Sequence, residues 1–305
     1  MLYLLFSVCA SVTVSILLKL VRNTNISLPQ IIFWNYPVAA LLAYFIAGSG
    51  QIDFQVYLAN NSWILLALLG ILFPSVFIFM GKAAQNVGIV KADIAQRLSL
   101  IFGVSAAFLL FNDVFTPVKG AAIVISFLAI FCLMDKGKAH SYRGLSLDLH
   151  RQQYAQSRYT WLWILLVWVG YGVIDILLKY MAVKNFINTL VAIFIVAAIL
   201  MFIYLLFSRA RFNLASLITG AILGCLNFTN IYFYLQAHRA MANQTALVMT
   251  TMNLGVVVLA TILGTMFLRE RVSKVNILGI LLAIVAIITL GYGDQILAQL
   301  LQADN

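Results

Sequence analysis

Charge is the scarcest property of this sequence. Of 305 residues only 9% are Asp, Glu, Lys or Arg, whereas 64% are hydrophobic and the mean hydropathy is +1.03. A soluble chain of this length needs a charged outer surface, and 9% does not furnish one. Cysteine is scarce too. Cys9, Cys132 and Cys225 each lie within an apolar run and read as small hydrophobes, not as a disulfide framework or metal site. Only three histidines exist, two of them in one polar stretch, and no HExxH or Cys/His cluster is present. No paired acids resemble a metal-dependent lipid enzyme, and "MGKAAQNVG" lacks the upstream glycine of a phosphate loop. These absences leave little for catalysis, and no cofactor or metal is expected.

What the chain has is oily runs of membrane length. A span needs roughly 20 mostly apolar residues, and polar punctuation divides the sequence into ten such runs. They cover 2–20, 29–47, 62–81, 90–111, 116–133, 160–180, 186–207, 213–235, 244–268 and 273–292. The first, "MLYLLFSVCASVTVSILLK", has no positive residue ahead of its apolar stretch and no clear small-residue cleavage site, so it reads as a retained span. The net charge of +10 sits mostly in loops, where contact with anionic headgroups and control of topology explain it better than nucleic acid does.

Loop charge also predicts orientation. One alternating set of loops holds fourteen basic residues: Lys19, Arg22, Lys82, Lys91, Lys136, Lys138, Arg143, Arg151, Arg158, Arg209, Arg211, Arg269, Arg271 and Lys274. The other set, with both termini, holds Lys119, Lys179, Lys184 and Arg239, and Arg97 is left inside a span. The positive-inside rule then places both termini outside.

A single long polar connection, residues 135–159, splits the ten runs into five and five. Five helices is an odd number, so two homologous halves must lie upside down to one another, as in transporters built from inverted repeats. Three matches in order support this. "SILLKL" at 15–20 recurs as "DILLKY" at 175–180, and "VAALL" at 38–42 as "VAAIL" at 196–200. Residues 108–130 align without gaps to 265–287, pairing Asp113 with Glu270, Thr116 with Ser273 and Ala122 with Gly279. The expected fold is an all-α integral membrane protein with ten transmembrane helices as two inverted five-helix repeats. The expected divisions are a first repeat at 1–134, a basic connecting loop at 135–159, a second repeat at 160–293 and a short tail at 294–305.

With a lysine late in the first helix of each half (Lys19, Lys179) and the segment "LRERVSKVNILGILLAIVAI" near its end, the sequence resembles the drug/metabolite transporter superfamily, in its EamA-like ten-helix branch. The resemblance implies small-solute transport. The family often carries arginine in the second helix, where this chain has Asn35, and proline in the fourth helix of each half, where it reads "SLIFG" and "NLGVV". Bacterial members are usually drawn with both termini in the cytoplasm, opposite to the charge count.

Ionisable residues inside spans are rare and usually face a bundle interior or a wet cavity. Asp93 and Arg97 are spaced i,i+4 with the acid first, so they pair along one helix face that Gln96 shares. One reading is a self-neutralised pair near a helix end, with Arg97 snorkelling; the other puts both on a cavity wall, with Arg97 a bidentate donor to an anion. Asp175 and Lys179 repeat the spacing, and Lys19 has Ser15 where that acid would be. Asn227, Asn230 and Tyr234 follow i, i+3, i+7 beyond the Gly220/Gly224 pair, a GxxxG that permits close helix approach. Asn253 lies mid-span beside Thr250. Each amide reads either as an interhelical hydrogen bond or as part of a polar belt for a solute. Trp34, Tyr36, Trp168 and Tyr171 are stacking candidates.

The expected function is secondary transport of a small polar metabolite, an amino acid or organic anion-like solute, by alternating access. Candidate substrate-binding residues are Arg97, Asp93, Gln96, Lys19, Lys179, Asp175, Asn35, Asn227, Asn230 and Asn253. A flippase for a lipid or lipid-linked sugar is the transport alternative, and an intramembrane enzyme or receptor the non-transport one. The expected partners are a small-molecule substrate and the lipid bilayer of the plasma (inner) membrane, with coupling to protons or a counter-substrate and a homodimer as further options, and no nucleic acid.

Overall fold

The computed structural model describes residues 1–21, 26–48, 62–86, 88–134, 160–182, 186–208, 212–268 and 273–303. The basic loop 135–159, and with it Arg22, Lys184, Arg209, Arg211, Arg269, Glu270 and Arg271, lies outside the described residues, as does the side chain of Lys19. Every regular element among the described residues is helical: α1 (Leu2–Val21), α2 (Leu28–Ala47), α3 (Ser62–Asn86), α4 (Ile89–Leu98), α5 (Leu100–Leu109), α6 (Pro117–Met134), α7 (Thr160–Ala182), α8 (Phe186–Phe207), α9 (Leu214–Ala240), α10 (Thr245–Leu268) and α11 (Lys274–Ala303). With α4 and α5 taken as one span, nine are long and apolar enough to cross a membrane, and α1 adds an apolar stretch at Leu2–Leu18. The chain is an all-helical, multi-pass membrane protein.

Several ends run past expectation: α3 reaches Asn86 where 81 was expected, α9 reaches Ala240 where 235 was, and α11 differs most. α11 continues past the expected end at 292 to Ala303, so most of the 294–305 segment is helical. The fourth span tightens at Ser99, within the "SLIFG" that replaces the family's proline: Ser99 keeps helical torsions and bonds back to Ala95, while the Phe102 N–H donates to the Ser99 carbonyl three residues back at 2.9 Å. The Ser99 hydroxyl donates to the Gln96 carbonyl at 2.6 Å, and a serine bonded back to its own helix competes with the backbone ladder and bends it.

The helices group into two compact units, each drawing on both halves of the sequence. One contains 1–78 and 170–242, so α1, α2, α8, α9 and parts of α3 and α7. The other contains 79–169 and 243–305, so α4, α5, α6, α10, α11 and the remaining parts of α3 and α7.

In the first unit α9 packs on α1 and α2, and α2 also on α8. The α2–α9 approach is close because Gly220 and Gly224 present no side chain. A Cβ on Gly220 would stand 2.5 Å from Trp34 Cβ, and one on Gly224 2.7 Å from the Asn35 carbonyl oxygen. The inverted repeat is visible in these contacts. Gly224 of α9 meets Val38 of α2, and Gly70 of α3 meets Val196 of α8. Val38 and Val196 are the first residues of the matched pentapeptides. In the same register Tyr36 matches Phe194, and these two rings meet each other with centroids 6.4 Å apart.

In the second unit α6 and α11 run antiparallel. Asn276 near the start of α11 donates through Nδ2 to the Cys132 and Leu133 carbonyls at the end of α6, both at 3.1 Å. At the other end Thr116 donates to Asp294 at 2.8 Å. The repeat appears again as matched helix starts. The Lys119 backbone N–H donates to the Thr116 hydroxyl at 3.2 Å, and the Asn276 backbone N–H to the Ser273 hydroxyl at 3.1 Å. Thr116 pairs with Ser273 in the ungapped alignment, and a hydroxyl in that position satisfies one of the unpaired N–H groups of a helix start.

Candidate functional site

The sequence-selected residues divide between the units. Lys19, Asn35, Asp175, Lys179, Asn227 and Asn230 belong to the first; Asp93, Gln96, Arg97 and Asn253 belong to the second.

In the second unit Arg97 Nε stands 3.6 Å from Asp93 Oδ1, with the arginine side chain 10% exposed and the aspartate 43%. The ion pair expected from the i,i+4 spacing is therefore formed. Arg97 lies in the last turn of α4, where its charge also complements the helix dipole. Gln96 is half-buried one residue away, and its carbonyl receives the Ser99 hydroxyl. Asn253 is buried and donates to the Met249 carbonyl of its own helix at 3.2 Å, not to a neighbouring helix. Trp168 meets Phe102 in a tilted ring contact, with centroids 4.7 Å apart at 48°.

The first unit gathers more chemistry. Asn227 Nδ2 donates to Asn35 Oδ1 at 3.1 Å across the α2–α9 contact, so the residue in the family's usual arginine position is spent on an interhelical amide pair. Asn230 accepts from the Ser7 hydroxyl at 2.8 Å, tying α9 to α1. Both amides thus follow the interhelical reading. Beyond them the polar stripe of α9 continues through Tyr234 to His238, at successive i+4 steps.

A parallel stripe runs along α7 at the same spacing: Tyr171, Asp175, Lys179. This stripe meets α2 at one level and α9 at the next two. Tyr171 lies beside Tyr36 of α2. Asp175 lies beside Tyr234, and Lys179 lies within electrostatic reach of His238. Tyr234 and His238 are themselves in edge contact, with ring centroids 4.6 Å apart at 68°. Lys179 Nζ donates to the Ala242 carbonyl just past the end of α9 at 2.7 Å. Lys179 and His238 are buried, whereas Tyr171 and Asp175 are half-buried.

The column is graded. At one end stand amides and phenols, in the middle a carboxylate, at the other an ammonium and an imidazole. Such a set offers hydrogen bonds and both signs of charge within one helix cluster, as recognition of a small polar solute requires. His238 was not among the sequence candidates. Its signal was available: it continues Asn227–Asn230–Tyr234 at helical spacing. Among the described residues no group of three or more His, Cys, Asp or Glu is placed to hold a metal ion.

Three comparisons bear on this architecture. The EamA-like transporter family matches residues 158–292. A protein of Haemophilus influenzae (strain ATCC 51907 / DSM 11121 / KW20 / Rd), described only as uncharacterized, is 41% identical over 305 residues, covering 97% of this chain and 99% of its own. A crystal structure superposes with a TM-score of 0.69 over 95% of this chain and 98% of its own, at 13% identity, which shows a shared fold.

Proposed function

The chain belongs to the EamA-like transporter family, and from that premise we propose that it carries a small polar metabolite across the plasma (inner) membrane by alternating access. Family membership makes it a membrane transporter of small molecules. The finer reading draws on the α7–α9 column. Asp175 and Tyr171 are half-buried, Lys179 and His238 are enclosed, and the tyrosine and amide groups lie between and above them. An acidic and a basic group held two helical turns or less apart fit a zwitterion or an organic anion. A solute with a carboxylate and an amine engages both ends of such a column.

This observation favours an amino acid-like solute over a lipid. A membrane-embedded acid and base are costly unless they serve a pathway or each other, and both sit among hydrogen-bonding side chains. Arg97 and Asp93 are the second candidate pair, with Gln96 beside them. Proton coupling, counter-substrate exchange and homodimer formation are compatible with this reading. The test is a counterflow screen in proteoliposomes, with amino acids, organic anions, nucleotides and amines offered in turn. Accelerated exchange of amino acids or organic anions supports the proposal. Exchange of amines or nucleotides alone, or of none of the four classes, overturns it.

A further inference from the structure

We propose that the Nη edge of the Arg97 guanidinium is an oxyanion-binding site of the second unit, shaped for a carboxylate or a phosphate group. The inference deepens the transport reading, and it rests on that reading only for the view that the oxyanion belongs to a carried solute.

Two cationic side chains among the described residues are buried, Arg97 and Lys179. They differ in what holds them. Lys179 donates to the Ala242 carbonyl at 2.7 Å and has further contacts, so its charge is already engaged. Arg97 has one opposite charge within ion-pair distance among the described residues, Asp93 Oδ1 at 3.6 Å from Nε, too long for a hydrogen bond. Nε is enclosed and unpaired, and the Arg97 side chain forms no hydrogen bond among the described residues. Its N–H donors are thus unspent, on a side chain only 10% exposed.

The neighbours leave the fork free. The Ser99 hydroxyl turns back to the Gln96 carbonyl, and the Asn253 amide nitrogen donates to the Met249 carbonyl of its own helix. Asp93 approaches from the Nε side. Of the three guanidinium nitrogens, Nε alone is both enclosed and unpaired, so the open edge is the one formed by the two Nη groups.

Snorkelling does not account for this arrangement. Arg97 lies six residues past Lys91, roughly 9 Å further along the helix axis at about 1.5 Å per residue. Lys91 is exposed and Arg97 is buried. A snorkelling side chain carries its charged head into water, whereas this one keeps Nε away from it.

A charge withdrawn from water without a hydrogen bond loses solvation that an ion pair at this distance only partly returns. An oxyanion restores the balance. Two of its oxygens accept from the Nη groups in parallel, the geometry in which arginine holds carboxylates and phosphates. Bound there, the anion meets a different edge of the guanidinium from the Nε that faces Asp93, so the cation lies between the two negative groups.

The experiment follows the reaction of phenylglyoxal with Arg97 in the full chain by peptide mass spectrometry, with exposed Arg239 as the reference. In a maltoside detergent without phosphate or carboxylate, Arg97 should react. Sodium acetate or inorganic phosphate at about 50 mM should slow that reaction about threefold or more, as a dissociation constant of about 20 mM or below requires. Methylammonium chloride at matched ionic strength should not slow it, and Arg239 should respond to none of these. Nanodiscs then distinguish two sources of oxyanion. An Arg97 that reacts in phospholipid nanodiscs until acetate or phosphate is added takes a dissolved anion. One protected in phospholipid nanodiscs but reactive in those of a phosphate-free galactolipid takes a lipid phosphate. Either result supports the site. An Arg97 unreactive in maltoside, one slowed neither by a dissolved anion nor by a lipid phosphate, or equal slowing by methylammonium or at Arg239 overturns it. No readout depends on transport, so a failed counterflow screen removes the transport reading without deciding this one.

Discussion

Val38 Cβ lies 2.8 Å from where a Cβ on Gly224 would stand, and Val196 takes the same position against Gly70 at 2.7 Å for Cγ1. Equivalent residues of the two halves therefore make equivalent contacts, one from α2 to α9 and the other from α8 to α3. The two sites differ in what else they meet. Gly224 also faces the Asn35 carbonyl at 2.7 Å, whereas the first two contacts of Gly70 are side-chain atoms of Val196.

That difference sets a rank order. Gly224→Ala should lower stability by about 1–3 kcal/mol, because backbone cannot give way, and Gly70→Ala by less, because a valine can shift. Thermal unfolding in nanodiscs measures both. Equal losses, or a larger one for Gly70, would contradict the steric account.

The Asp93–Arg97 pair gives an asymmetric prediction. Asp93→Asn strands a nearly enclosed guanidinium, whereas Arg97→Gln leaves a carboxylate that is 43% exposed and keeps some hydration. Losing the partner of an enclosed charge costs more than losing the partner of a wet one. Asp93→Asn should therefore be the more destabilising, and adding Arg97→Gln to it should restore part of the loss. Unfolding midpoints of the two single variants and the double variant test this order.

Asn276 carries more structural weight than Lys119, its counterpart in the repeat. It bonds to the Cys132 and Leu133 carbonyls and also accepts from the Ser273 backbone N–H at 2.9 Å. Asn276→Ala should cost about 1–3 kcal/mol by leaving those groups unpaired. Lys119 bonds to Val114 and stands 3.9 Å from Asp294 with a fifth of its side chain exposed, so Lys119→Ala should cost less. A larger loss for Lys119→Ala would reverse the assignment.

Asn35→Leu separates structure from transport. The interhelical amide bond to Asn227 contributes about 0.6 kcal/mol on average for such bonds within membranes, so stability should fall little. If the amide pair belongs to the solute site, uptake should fall several-fold while the unfolding temperature barely moves. Unchanged uptake would assign Asn35 and Asn227 to helix packing alone.

Much of the fold was legible because hydrocarbon imposes a simple rule on sequence. A span must be apolar over a fixed length, so ten runs could be counted and their ends placed within a few residues. The ends that overran were polar: α3 continues through Lys82 to Asn86, α9 through Gln236 and His238 to Ala240, and α11 through Asp294 and Gln295, all outside a hydropathy reading. The ungapped match of 108–130 to 265–287 was readable for a similar reason: the Thr116 and Ser273 caps need a hydroxyl three residues before a particular N–H, a local demand that sequence records directly.

The site was legible only in part. The i,i+4 spacing of Asp93 and Arg97 determines that they share a helix face, and the ion pair follows from that alone. Asp175 and Lys179 have identical spacing, yet which residues surround them was decided by tertiary structure. Lys179 reaches a carbonyl 63 residues away, and Tyr234 and His238 arrive on a different helix from a separate part of the chain. Helical periodicity fixes neighbours along one helix; it carries no information on which helix packs alongside. The sequence by itself thus determined a ten-helix membrane protein with a repeated design. Only the tertiary structure decided that His238, solitary in the sequence, stands enclosed beside a buried lysine.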